Sequence, residues 1–121
     1  MSGAVMFALL SPVFEGRVYP QVAPANTKMP YATYAVVTAT AAQASDGETG
    51  LKRSTVQVTV WGSSYADAQA AADKAHRAVA RKQGLIGPHR VRSITPQMRL
   101  DQFDEETKTH GVVQDFRVVW A

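Results

Sequence analysis

Alternating apolar and polar residues give the clearest pattern in the chain, over residues 52–61. Val56, Val58 and Val60 occupy every second position, and polar residues lie between them. A period of two predicts a β-strand with one buried face. Residues 31–40, rich in β-branched and aromatic side chains, predict a second strand. The small and polar residues 41–50 between them predict a hairpin loop.

A different spacing follows over residues 63–82, where apolar positions step by three and four. This period predicts an amphipathic helix, and most residues on its apolar face are alanine. Ser64 and Asp67 resemble a capping box at its start. Gly84 and the pair Gly87-Pro88 predict where it ends. The expected inward positions are Tyr65, Ala68, Ala72, Ala75 and Val79.

The remaining segments predict shorter elements. Residues 1–15 favour a short helix disturbed by Pro12, and the proline-rich residues 17–30 favour an extended ribbon. Residues 90–100 predict a third strand, in which Pro96 indicates an edge position or a bulge. Residues 101–110 are predicted to be a polar turn, and residues 111–120 a fourth strand. The inward positions expected on that strand are Val112, Phe116, Val118 and Trp120.

The order of elements predicts a single α+β domain over residues 1–121. We expect a roughly four-stranded antiparallel or mixed sheet, with one long helix and a short N-terminal helix packed on it. A chain of 121 residues is long enough to bury one core. It contains no cysteine, which excludes disulfides, thiolate metal sites and a cysteine nucleophile.

Residues with catalytic chemistry do not form a recognisable set. The three histidines, His76, His89 and His110, have no metal-ligand spacing. The acidic residues at 101–106 lack a calcium-loop glycine, which favours a solvated turn. No phosphate loop or serine-nucleophile motif occurs. We therefore expect no enzyme activity, no metal and no cofactor. The apolar start lacks Lys and Arg, and no apolar run suits a membrane span.

Residues 74–99 contain seven Lys or Arg and no Asp or Glu. This basic stretch has three interpretations: contact with nucleic-acid phosphates, a solvated surface, or contact with an acidic patch on a neighbouring subunit. The absence of interleaved aromatic residues disfavours a stacking platform for single strands. The third interpretation is slightly favoured over DNA contact.

Three sets of residues, in order along the chain, resemble one family. The first is GRVYP at 16–20, with VAP at 22–24 and MPY at 29–31. The second is VQVTVW at 56–61, leading through Ser64-Tyr65 and Asp67-Ala68 into the alanine-rich helix. The third is Asp104 and Thr107 followed by QDFRVVW at 114–120. Together they resemble the phage tail terminator, or tail completion (minor tail), family.

The resemblance implies a structural protein of phages or phage-like particles. It implies a homohexameric ring on the head-proximal end of the tail tube, which stops tube polymerisation and joins a head-completion or neck protein. DNA would pass through the ring lumen without sequence-specific binding, and no membrane is involved. The alternatives are a head-completion or neck connector and a small DNA-binding module that uses residues 74–99.

Such a ring needs two different contact patches on each subunit, and exposed strand edges suit such contacts. The ribbon is expected at a subunit boundary, and the hairpin loop against the tube or along the lumen. The basic stretch is expected against a neighbouring subunit. The expected interface residues are Arg17, Tyr19, Asp46, Glu48, Arg77, Arg81, Arg90 and Arg92.

Overall fold

The computed structural model describes residues 2–41 and 51–121, and for residues 40 and 41 it describes the backbone alone. The helices are α1 (Ser2–Leu10) and α2 (Tyr65–Val79). The strands are β1 (Val18–Pro20), β2 (Tyr31–Ala41), β3 (Lys52–Gly62), β4 (Gly84–Ile86), β5 (His89–Asp104) and β6 (Thr109–Trp120). They form one sheet in the order β1-β2-β3-β6-β5-β4. The α+β prediction is confirmed.

The predicted number of strands is wrong, because the described residues form six strands and not four. The first addition is β1, which lies in the predicted ribbon and pairs in parallel with β2 because Val18 is buried in the core. The second is β4, which forms a short hairpin with β5 after α2 ends.

The polar turn predicted over residues 101–110 is also wrong at both ends. Strand β5 continues to Asp104, and β6 begins at Thr109. Asp101 pairs with Val112 and Asp104 with Thr109, so pairing with β6 overrides the polar composition of this segment. The break in register between Pro96 and Met98 confirms the bulge expected at Pro96.

The helix predicted over residues 63–82 is shorter in the structure. Ser64 caps α2, and its side-chain oxygen accepts a hydrogen bond from the Asp67 backbone N–H at 3.1 Å. Ala80 already has an extended conformation, with φ −61° and ψ 131°. The small residues Ala68, Ala71, Ala72 and Ala75 are buried against the sheet. Tyr65 was expected to be inward but is 56% exposed, because it lies at the first position of the helix.

Helices α1 and α2 both pack on one face of the sheet. Val56, Val58 and Val60 face the helices, as predicted, and alternate with half-buried residues on β3. The four inward positions predicted on β6 are also buried, and Gln114 lies among them. The Gln114 side-chain Nε2 donates a hydrogen bond to the Ala72 carbonyl at 3.1 Å, which ties α2 to the centre of the sheet.

Candidate interaction surfaces

The predicted interface residues on the ribbon make contacts within the chain. The Arg17 Nε donates a hydrogen bond to the Pro30 carbonyl at 3.1 Å, and its guanidinium is 3.4 Å from the Glu15 carboxylate. Arg17 therefore closes the ribbon onto the start of β2. Tyr19 lies on β1 opposite Thr33 and is half-buried. Asp46 and Glu48 lie outside the described residues.

The other predicted arginines are exposed, and three of them lie at one end of the strands. The Arg81 backbone N–H donates to the Ile94 carbonyl at 2.9 Å, and Arg90 exchanges backbone hydrogen bonds with Ala121. Arg92 lies on the same part of β5. Arg77 lies in the last turn of α2, beside a groove of about 370 Å³ between α2 and β5.

Among the described residues, the two ends of the strands differ in charge. The segments at one end, 51–55, 79–94 and 117–121, contain no Asp or Glu. Their basic residues are Lys52, Arg53, Arg81, Lys82, Arg90, Arg92 and Arg117. We call this end the basic end. Lys52 lies over the Trp120 ring, with 5.1 Å between its Nζ and the ring centroid.

The opposite end contains the β5–β6 turn and the start of α2, and we call it the acidic end. Its acidic residues are Asp67, Asp101, Asp104, Glu105 and Glu106, with the basic residues Arg17, Lys28 and Lys108 near it. The described residues contain no group of three or more His, Cys, Asp or Glu that could hold a metal ion. None of the described helices has the length and apolar character needed to cross a membrane.

A polar network at the acidic end joins β5 to α2. The Arg99 guanidinium contacts the Asp73 carboxylate at 2.8 Å and donates to the Gln69 side chain at 2.7 Å. Gln69 in turn donates to Asp101 at 2.7 Å, and the Tyr65 hydroxyl donates to the other Asp101 oxygen at 3.3 Å. Because these contacts are exposed to solvent, each contributes little to stability.

The start of β2 lies beside the acidic turn. Tyr31 lines a cavity of about 350 Å³ with Trp61, Asp104 and residues of the ribbon. Burial raises the pKa of the Tyr31 hydroxyl above its usual value, and the negative charge of Asp104 raises this pKa further. The ribbon and the β5–β6 turn therefore meet at this cavity.

A larger apolar groove, of about 720 Å³, lies between α1, β2 and the β4–β5 turn. Phe7 and Val36 line it and are 45% and 38% exposed. Val37 follows in the chain and is 55% exposed. Sequence reasoning missed this groove because its residues come from separate segments that meet only in the folded chain.

A second group of exposed apolar side chains lies on the C-terminal half of β5. Met98, Leu100 and Phe103 are 38%, 45% and 48% exposed. The Phe103 ring lies 4.8 Å from the His110 ring, which in turn contacts Tyr65 of α2. Sequence reasoning placed the end of this segment in a polar turn, so Phe103 was missed. The apolar residues Leu100 and Phe103, which stand among acidic residues in the sequence, were the available indication that the strand continues.

Comparisons with known proteins agree on a family and a fold. The family model described as tail completion protein gp17 matches residues 4–121. A chain in the solved structure "Virion of native gene transfer agent (GTA) particle" has a similar fold, with a TM-score of 0.69. It is 20% identical, and the match covers 98% of this chain and 96% of that chain. No curated protein sequence matches the chain.

Proposed function

The chain belongs to the tail completion protein family, since that family model covers almost its whole length, and from this we propose that it is the terminator of a phage or phage-like tail. Copies of the chain form a homohexameric ring on the head-proximal end of the tail tube. The ring stops addition of tube subunits and offers the surface to which the head-completion or neck protein binds. Its role is structural and not catalytic.

The family match is the observation that carries this proposal, and the shape of the subunit supports it. A closed ring needs two unlike patches on each subunit, because each copy contacts its two neighbours differently. The chain has an apolar groove beside β2 and an exposed apolar strand at β5. The similar chain in the gene transfer agent structure comes from a virion, which supports a particle component at the level of the fold.

The length of tails made without this protein tests the proposal. We expect electron microscopy of such particles to show over-long tubes and unjoined heads filled with DNA. Tails of normal length that fail only at joining would assign the chain to the head-side neck, which is the first alternative. Particles that remain intact and infectious would reject both assembly roles.

The basic end supports one further alternative, a DNA-binding module. Seven Lys or Arg on segments without acids form an electrostatic surface that phosphates would favour. This alternative expects tight binding of the isolated protein to duplex DNA, weakening steeply as salt concentration rises. Weak binding with a shallow salt dependence is expected if DNA only passes through the lumen.

A further inference from the structure

Two strand edges of the sheet have long stretches without a backbone partner among the described residues. Strand β1 pairs with β2 only as far as Tyr34, so the outer edge of β2 is unpaired from Val36 onward. Strand β4 pairs with β5 only as far as Val91. After the bulge at Pro96, the outer edge of β5 is unpaired from Met98 to Asp104. Unpaired edges readily accept another strand.

The strand directions suit a contact between copies in the same orientation. Going from β2 to β3, β6 and β5, each strand runs antiparallel to the one before. Three reversals make β2 and β5 run in opposite directions. A second copy in the same orientation therefore presents its β5 antiparallel to β2. Cyclic symmetry requires this common orientation. The free part of β2 lies at the basic end and the free part of β5 at the acidic end. The two segments therefore meet when the second copy is staggered along the strands, as in closed sheets whose strands are tilted.

Apolar side chains flank both unpaired edges. Beside β2, Phe7 and Val36 form the groove on the helix-bearing face of the sheet, and Val37 is exposed next to them. On β5, Phe103 pairs with His110 and contacts it on the same helix-bearing face, near Tyr65. Exposed apolar patches of this kind mark protein contacts.

The charges beside the two edges are also complementary. Strand β3 places Lys52 and Arg53 next to the last residues of β2. The free part of β5 carries Asp101 and Asp104. Its basic residue, Arg99, forms an ion pair with Asp73 of α2 in the same copy. Opposite charges across a contact favour the correct partner and its correct orientation.

We propose that residues 98–104 of β5 in one copy lie antiparallel along the free edge of β2 in the next copy, with Phe103 covering the groove and with Met98 and Leu100 on the opposite face of the sheet. This contact rests on the proposed ring and names the surfaces that close it. It is heterologous, so each copy gives its β5 to one neighbour and receives the β5 of the other.

Engineered disulfides test this contact directly, because the natural chain has no cysteine. The first variant combines Val37→Cys with Leu100→Cys, and two others replace Leu100→Cys by Met98→Cys or Phe103→Cys to allow for register. The matched control combines Val37→Cys with Ala70→Cys, an exposed position on α2. Each is assembled into particles, oxidised, and separated on a denaturing gel without reductant.

At least one of the three pairs is expected to give a ladder from dimer up to the closed ring, with a matching loss of monomer. A mixture of the two single variants of that pair should give dimers only, and each single variant alone should stay monomeric. The control pair should give no ladder.

Two outcomes overturn the contact. Particles that contain the protein but give no ladder with any pair show that other surfaces close the ring, while the terminator function stands if tail length is still controlled. Dimers formed by Val37→Cys alone show that the β2 edges of two copies face each other, which also rejects the contact. Wild-type particles that lack the protein reject both the contact and the proposed function.

Discussion

At the residue scale, Gly62 sets how closely α2 approaches the end of β3. A Cβ atom at Gly62 would lie 2.7 Å from the Ala68 backbone nitrogen and 2.9 Å from the Ala68 Cα. Both atoms belong to the helix backbone, so they cannot move aside as a flexible side chain does. The alanine-rich face of α2 and this glycine together bring the helix against the sheet.

We expect Gly62→Ala to lower the free energy of unfolding by about 1–3 kcal/mol, the usual effect of overpacking a well-packed site. Ser63→Ala, at the exposed neighbouring position, should change it by less than about 0.5 kcal/mol. Denaturant unfolding followed by circular dichroism measures both. A Gly62→Ala variant as stable as the wild type would show that the start of α2 shifts without loss.

Tyr31 gives the chain a measurable dependence on alkaline pH. Its pKa is raised in the folded chain, so the hydroxyl ionises more readily in the unfolded chain, where its pKa is 10.0. The contribution of neutral Tyr31 is present below that value and is lost as pH rises through the range up to the folded pKa. The free energy of unfolding should therefore fall more steeply above about pH 10 in the wild type than in Tyr31→Phe.

Asp104→Asn is the matched variant, because it removes the charge but keeps an oxygen for the turn. It should reduce the Tyr31 effect only in part, since burial is the larger cause of the raised pKa. Unfolding curves measured between neutral and alkaline pH compare the three proteins. Identical alkaline slopes for the wild type and Tyr31→Phe would contradict the assignment.

At the element scale, helix α2 depends on its first turn. The Ser64 side chain satisfies the Asp67 backbone N–H, which has no partner within the helix. Ser64→Ala should lower the free energy of unfolding by about 1 kcal/mol, as for other N-cap serines. Ser63→Ala again serves as the control, because the Ser63 hydroxyl donates to the exposed Asp67 carboxylate at 3.4 Å and does not cap the helix. Equal effects of the two substitutions would argue against the cap.

The elements that were predictable from the sequence are those whose pattern is local. The alternating valines of β3 and the alanine spacing of α2 each predict which face is buried, and these valines and alanines are buried in the structure. Strands β1 and β4 have three residues each, too few to show a period. Their pairing depends on neighbours distant in sequence. The end of β5 has the composition of a turn because it is an edge strand, most of whose exposed side chains are polar and whose backbone pairs with β6.

The candidate surfaces were predictable only in part for the same reason. The sequence indicated the basic residues, and the structure gathers Arg81, Arg90 and Arg92 at one end. No sequence pattern predicted that Arg17 binds the Pro30 carbonyl within its own chain. The apolar groove needs α1, β2 and the β4–β5 turn to meet, and no local pattern encodes that meeting.

At the scale of the whole molecule, the separation of charge along the strands has a consequence for assembly. In a ring with cyclic symmetry every subunit points the same way. The charges outside the proposed contact, Arg81, Arg90 and Arg92 at the basic end and Glu105 and Glu106 at the acidic end, would therefore gather on opposite rims. Such a ring has two distinguishable faces before it meets any partner. A tube end or a neck of one charge would attract one face and repel the other. Electrostatic attraction would therefore orient the ring on the tube end or the neck before any side chains come into contact.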